Sequence, residues 1–275
     1  MTALSQNKAP QTGYQQKEGL VLLCTGLFLC AAEIWKQIYL YFVVFGLNYH
    51  VWYLPWQLCS MPMYLCILYG ILSRSENAAR AVSGSAACTS APENTARTAA
   101  SGLSACAPVP ENAERRSSLR TAAMRLIATF LADYGMLGGV AALIVHSGFT
   151  FPAYPLLTLH GYLWHITLIL LSLYITKHRL ADMTRAGFCQ TLLLFFSLSA
   201  VAELLNISLH RFGDCDMFYI SPYHLSSQPV FSEIDRLFGR IPGIFLYLGA
   251  VVLGAFLVHL LLGRLQSRRQ LSAVS

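Results

Sequence analysis

The residues of this sequence best suited to chemistry are a thiol and two imidazoles that stand inside long apolar runs. Cys59 lies in LPWQLCSMP, and His160 and His165 lie in HGYLWHITLILLSLY. A thiol beside an imidazole can be deprotonated to the nucleophilic thiolate, and the imidazole can return the proton. A nearby carboxylate could orient the ring and stabilise the imidazolium, as in a catalytic triad. The residue types therefore permit covalent nucleophilic catalysis, and a site open to a membrane would suit an acyl-chain substrate.

Further polar side chains interrupt the same apolar runs and are candidates for supporting roles. Glu33 and Gln37 are four residues apart and share a helix face, and Lys36 can neutralise Glu33 at the i,i+3 spacing. The other members of this set are Gln57, Asp133, Glu203 and Asn206. Ionisable groups within membrane spans are costly and usually face the bundle interior, so each is a functional candidate. A structural interpretation stays open for each, with the thiol as a small apolar filler and Glu33–Lys36 as a pair that fixes helix register.

The elements that must position these residues are membrane helices. Hydrophobic residues make up 55% of the 275 residues and charged residues only 12%, where a soluble domain carries about a quarter charged residues. Apolar runs of about twenty residues are long enough to cross the hydrocarbon core, and backbone without water must be helical there. We therefore predict an all-α polytopic transmembrane helical bundle of about six spans, at 19–42, 51–72, 121–145, 156–176, 186–208 and 243–263.

The distribution of basic residues predicts the orientation. Cations concentrate in the segments that a cytoplasmic N-terminus would place inside: Lys8, Lys17, Arg74, Arg80, Arg97, Arg115, Arg116, Arg120, Lys177, Arg179, Arg185, Arg264, Arg268 and Arg269. The outer connections hold only Arg211, Arg236 and Arg240. This positive-inside pattern predicts that both termini are cytoplasmic and that the protein is a multi-pass protein of the inner (cytoplasmic) membrane. The net charge of +6 therefore reflects topology, and no nucleic-acid partner is predicted.

With that orientation, the polar residues of four spans fall in the outer half of the membrane. At a rise of about 1.5 Å per residue, Glu33, Cys59 and His165 lie roughly eight or nine residues below the outer face, and His160 lies closer to it. Glu203 and Asn206 lie just below the exit of the fifth span. We expect these residues to form one site. Pro55 and Pro62 bracket Cys59 and are expected to bend the second helix on either side of it.

The connections divide the chain into parts with different expected behaviour. A polar N-terminus (1–18) precedes spans one and two (19–73), and a basic tail (264–275) follows spans three to six (121–263). Segment 74–120, rich in Ala and Ser, is expected to be a disordered cytoplasmic loop, and 209–242 could fold as an outer cap. The spacing of FGDCD fits no standard metal site, so no metal and no cofactor are predicted. The eight cysteines lie mostly in spans or on the reducing side, so structural disulfides are not expected. Cys215 alone faces outward, and His178 and His259 are expected at the cytoplasmic interface.

Several of these segments resemble one family of bacterial membrane proteins. AAEIWKQIY followed by LPWQLCSMPMYLCI, the paired histidines of HGYLWHITLILLSLY, and LLN followed by DMFYISP are similar to the YwaF-like integral membrane proteins. The resemblance covers nearly the whole chain apart from 1–18 and 74–120. A more remote resemblance is to a eukaryotic transmembrane acyltransferase family that remodels ether phospholipids through a Cys and a His. It implies that Cys59 accepts the acyl group and that His165, favoured by depth, or His160 is its base.

The sequence thus leads to one hypothesis and two alternatives. The leading hypothesis is a membrane enzyme, an acyltransferase or acyl hydrolase, that acts on membrane lipids through Cys59 and a histidine. Gln57, Glu33, Glu203 and Asn206 would support the site. The alternatives are a small-solute or proton-coupled transporter that uses the same polar cavity, and a non-catalytic scaffold whose polar residues lock the bundle. A transporter commonly shows inverted repeats, and no internal symmetry is evident here.

Overall fold

The computed structural model describes residues 11–88 and 111–274, and these residues form helices and short turns with no strand among them. The α-helices are α1 (Gln11–Tyr39), α2 (Met61–Cys88), α3 (Glu111–Ile144), α4 (Pro155–Lys177), α5 (Arg185–Leu209), α6 (Pro229–Phe238) and α7 (Arg240–Val274). The predicted all-α fold is confirmed.

Five stretches are long and apolar enough to cross a membrane: Gln16–Val44, Arg115–Ile144, Pro155–Lys177, Arg185–Phe212 and Arg240–Arg268. They coincide with five of the six predicted spans. Large apolar side chains cover their outer surface, among them Leu193 at 73% and Phe245 at 70% exposure, which is the surface that a lipid environment requires. The chain is a multi-pass membrane protein.

The second predicted span differs from the continuous helix expected over 51–72. Residues 51–60 form two short 3₁₀ turns (Val51–Tyr53 and Leu58–Ser60), and α2 begins only at Met61. Leu54, which precedes Pro55, has a non-helical conformation (φ −54°, ψ 132°), the conformation that a following proline favours. Pro62 lies in the first turn of α2, where its missing N–H costs nothing. The prediction that both prolines bend one helix was therefore wrong.

The 3₁₀ segment 51–60 lacks regular helical hydrogen bonds, so its carbonyl groups need other partners. Side chains supply them. The Gln37 amide donates to the carbonyl of Tyr53 at 2.6 Å, and the Tyr64 hydroxyl donates to that of Pro55 at 2.9 Å. These bonds replace the helical hydrogen bonds that the turns lack.

Small residues let the first two helices approach closely. A Cβ added at Gly70 of α2 would lie 2.5 Å from the Cβ of Leu23 on α1, so only glycine allows this contact. Helix α3 is central to the bundle, since it contacts α2, α4, α5 and α7. Its Phe130 and Tyr134 rings stack with centroids 4.4 Å apart, and Tyr134 stacks on Phe195 of α5 at 5.1 Å.

Two polar pairs lie inside the bundle away from these aromatic contacts. Asp133 of α3 accepts a hydrogen bond of 2.9 Å from His259 of α7, whose other ring nitrogen lies 3.1 Å from the carbonyl oxygen of Thr184. Glu18 pairs with His178 at 2.9 Å. His259 is only 3% exposed, and both of its ring nitrogens have partners within the protein.

Part of the segment 74–120, which was expected to be a disordered loop, is helical in the structure. Helix α2 continues to Cys88 and α3 begins at Glu111, because the alanine-rich sequence at both ends is compatible with helix. Residues 89–110, on which the rest of that prediction falls, lie outside the described residues, as do residues 1–10 of the predicted polar N-terminus.

Candidate functional site

A cavity of about 450 Å³ lies at the end of the bundle where α1 and α3 finish and α4 and α7 begin. The 3₁₀ segment 51–60 forms one side, and residues of the connection between α5 and α7 cover it. Its volume lies within the range of small-molecule sites, about 300–1,000 Å³. The polar residues on its wall include Glu33, Lys36, Gln57, Cys59, His160 and His165, and Ser60, Gln228, Tyr53, Tyr219 and Tyr247 also line it. Five of the seven site residues predicted from the sequence therefore line one cavity, and Glu203 and Asn206 do not.

Cys59 lies immediately before the first turn of α2. The 3₁₀ turn Leu58–Ser60 runs directly into that helix at Met61, so Cys59 lies at the N-terminal end of α2. The Ser60 hydroxyl lies within hydrogen-bonding reach of the sulfur. The indole N–H of Trp164 donates to the Cys59 carbonyl at 3.0 Å, which fixes the backbone that carries the thiol.

His160 lies on the face of α4 that is directed at Cys59. Residues 160, 164 and 168 are spaced four apart and therefore form one face. Trp164 and Leu168 of that face belong to the apolar cluster against which Cys59 packs. The His160 ring lies between Trp35 and Trp164, with centroid distances of 5.8 and 5.5 Å. Its Nε2 is buried and has no hydrogen-bond partner among the described residues, an arrangement that requires explanation.

His165 occupies a different face of the same helix. Its Nδ1 lies 2.7 Å from the carbonyl oxygen of Gly161, and its ring stacks on Phe149 with centroids 4.9 Å apart. A carbonyl can only accept a hydrogen bond, so Nδ1 carries a proton. Within the described part of the chain, no hydrogen bond joins the thiol of Cys59 to either histidine.

The carboxylate of the cavity is held from two sides. Glu33 is 4% exposed, and its Oε1 lies 2.7 Å from Lys36 Nζ and accepts a 2.7 Å hydrogen bond from Gln37. The predicted shared face and the i,i+3 ion pair are confirmed. The same Gln37 amide binds the Tyr53 carbonyl, so this network also fixes the 3₁₀ segment to α1.

The cavity is covered by a cap, here residues 213–238, which includes the turn Met217–Tyr219 and α6. Gln57 clamps the cap to the segment that carries Cys59: its amide donates to the Asp216 carbonyl at 2.9 Å and accepts from the Phe218 N–H at 3.0 Å. Asn206 holds the same turn from α5, accepting from the Met217 N–H at 2.6 Å and donating to the Met217 carbonyl at 3.2 Å. Glu203 accepts from Asn206 at 3.2 Å. Glu203 and Asn206 thus position the cap and have no place in the cavity wall.

A buried charge cluster in the cap was not anticipated from the sequence. Arg240 pairs with Asp235 at 2.8 Å and with Asp216 at 3.5 Å, and donates to the carbonyls of Ser221 and Tyr219. Burial raises the pKa of Asp216 to about 6, against the lowering effects of the Ser221 N–H and Arg240. The sequence signal for this cluster was the presence of Arg240, Asp216 and Asp235 within the predicted outer connection 209–242.

The remaining predictions for the cap concern its thiol and metal binding. Cys215 is completely buried, with its sulfur 3.6 Å from Asn206 Oδ1, so its thiol packs inside the cap. No cluster of three or more His, Cys, Asp or Glu with metal-binding geometry occurs within 11–88 and 111–274.

Comparisons of the chain with protein-family models, curated proteins and solved structures found no match. The case for a function rests on the chemistry of the cavity. Its acidic, basic and thiol groups come from α1, α4 and the 51–60 segment, whereas α3 contributes only small and apolar side chains. An amphiphile with one reactive polar group and an apolar part fits such a division.

Proposed function

We propose that this protein is a membrane enzyme that transfers or hydrolyses lipid acyl groups, with Cys59 as the nucleophile. The observation that carries the proposal is the presence of a thiol, two imidazoles and a buried carboxylate on the wall of one largely apolar cavity in a membrane bundle. His160 on this wall has a buried Nε2 without a hydrogen-bond partner among the described residues, and the thiol or a substrate would supply that partner. The remote resemblance to the eukaryotic Cys/His acyltransferases points the same way.

In the proposed reaction, the thiol of Cys59 gives its proton to a histidine, and the sulfur attacks the carbonyl carbon of an acyl ester. A C–S bond forms, the ester C–O bond breaks, and the alcohol leaves with the proton from the imidazolium. A second hydroxyl, from another lipid or from water, then attacks the thioester carbon, and the sulfur leaves and recovers a proton. Every proton and electron pair is accounted for by the ester, the acceptor and these two residues.

His160 is the base we favour, although sequence depth pointed to His165. It shares a helix face with the residues that pack around Cys59. Catalytic hydrogen bonds are often long without substrate and tighten in the complex, so a rotation of the thiol toward His160 on substrate binding completes the pair. His165, anchored on Gly161 and Phe149, would line the site beside it.

The proposal includes six membrane crossings with both termini in the cytoplasm of a cell with an inner membrane. The apolar part of α2 from Met61 to Leu72 rises only about 18 Å, so the 3₁₀ segment must complete the second crossing. Irregular backbone is tolerated at membrane depth where it lines a cavity, as this segment does. Reporter fusions to the two termini test the topology, since an active periplasmic reporter at either end would contradict it.

The test of the enzyme uses the purified protein in lipid nanodiscs with a p-nitrophenyl ester of a long-chain fatty acid. We expect release of p-nitrophenolate and a protein mass increase of one acyl group, both lost in Cys59→Ala. Cys24→Ala is the matched control, because Cys24 is an exposed thiol of α1 outside the cavity. Equal acylation of wild type and Cys59→Ala would refute the proposal and favour transport of a solute through the same cavity.

A further inference from the structure

One face of α3 forms an apolar wall of the cavity opposite the polar groups. Leu137, Gly138, Ala141 and Ala142 line it, at positions i, i+1, i+4 and i+5 of one helix face, and Val145 lines it directly after α3 ends at Ile144. We infer that this face is the subsite for a single unbranched acyl chain and that Gly138 determines the length of chain accepted. The inference rests on the proposed function, because it gives the acyl group attached to Cys59 its place in the molecule.

Two adjacent glycines show which side of α3 is empty. A Cβ added at Gly139 would lie 2.7 Å from the Ile169 side chain and 2.9 Å from the His165 carbonyl oxygen, so this residue is needed for packing against α4. A Cβ added at Gly138 would meet no atom within 4 Å. Gly138 therefore leaves unfilled space in the cavity wall that the packing of the helices does not require.

The open space at Gly138 bears on selection among acyl chains, because an acyl chain enters the cavity from lipid. Bilayer tails are as apolar as the cavity wall, so moving a methylene from one to the other gains little free energy. Burial cannot then select for chain length, and the shape of the wall must do so. A misfit of one methylene in an apolar pocket discriminates by about 10–200-fold. A side chain introduced at Gly138 should exclude longer chains and leave short ones unaffected.

The experiment compares Gly138→Leu with wild type over p-nitrophenyl esters from butanoyl to stearoyl. We expect at least about a 10-fold loss of acylation rate for the longest esters that wild type accepts, with the butanoyl rate unchanged. Gly249→Leu is the matched control: a Cβ there also meets nothing within 4 Å, and Gly249 of α7 lies outside the cavity lining. A Gly138→Leu profile parallel to that of Gly249→Leu would overturn the inference while leaving the enzyme intact.

A binding measurement separates this inference from the proposed reaction. The midpoint of thermal unfolding is measured in one detergent with fatty alcohols of increasing length, which bind without reacting. Stabilisation that reaches a shorter maximum length in Gly138→Leu than in Gly249→Leu would support the acyl subsite even if Cys59 forms no thioester. Equal stabilisation of both variants at every length would refute the subsite independently of catalysis.

Discussion

Two polar groups inside this bundle look alike in sequence and differ in structure. The Asp133–His259 pair and the Cys59–His160 region each place a histidine within an apolar run. His259 has both ring nitrogens bonded, to Asp133 and to the Thr184 carbonyl, and neither partner lines the cavity. His160 lines the cavity, and its buried Nε2 has no hydrogen-bond partner among the described residues. A ring whose two nitrogens are both bonded within the protein has a structural role, whereas a ring beside a cavity with an unpartnered nitrogen can gain that partner from a ligand.

The first prediction tests the functional side of this comparison. His160→Phe keeps an aromatic ring between Trp35 and Trp164 and removes the base. We expect the acylation rate of Cys59 to fall by about 10²–10⁴-fold, with the free energy of unfolding changed by less than about 1 kcal/mol. His165→Phe, which preserves the stacking on Phe149, is the control. If His165→Phe loses the larger share of the rate, the base is His165.

The second prediction tests the structural side. His259→Leu leaves the Asp133 carboxylate buried without its partner, and breaking such a pair costs about 3–5 kcal/mol. We expect this loss in reversible unfolding in mixed micelles, together with an unchanged acylation rate per folded molecule. Replacing both residues by leucine should recover most of the stability, since a buried pair and an apolar pair of similar volume are nearly equivalent. A double variant as unstable as the single one would contradict this view of the pair.

The sequence predicted the helical class, five of the spans and the Glu33–Lys36–Gln37 network, because apolar length and i,i+3 or i,i+4 spacing are local properties. It could not separate His259 from His160, because which groups satisfy a ring nitrogen depends on helices far apart in the chain. Nor did it reveal that α2 begins only at Met61, after Pro55. Asn206 was read as part of the site because depth alone cannot say which face of α5 it occupies.

The clamp formed by Gln57 links the cavity to its cap, and its removal is the third prediction. Gln57→Leu leaves the Asp216 carbonyl and the Phe218 N–H without these bonds, which should cost about 2–3 kcal/mol. We expect the acylation rate to fall as well, since Gln57 is two residues from Cys59. Gln57→Glu keeps the acceptor for Phe218 and should fall between wild type and leucine. Hydrogen exchange confined to residues 213–221 would locate the loosening, and uniform exchange across the bundle would contradict it.

The smallest effect expected is a pH dependence from Asp216 in the cap. Burial raises its pKa to about 6, above the ordinary value near 3.9, so the folded protein holds this proton more tightly than the unfolded chain. The resulting stabilisation is complete below the ordinary pKa and is lost as pH rises through about 6. Arg240, Asp235 and Glu203 act on the carboxyl, and His224, whose pKa is lowered by burial, contributes to the pH dependence of stability with the opposite sign.

Asp216→Asn keeps an oxygen for the Ser221 N–H and cannot ionise, so the variant should gain up to about 2 kcal/mol over wild type at pH 7. Measurements of unfolding free energy should show this gain vanish toward pH 4. The same comparison in a His224→Gln background is the control for the histidine. A gain independent of pH would show that the Asp216 charge is fully compensated by Arg240.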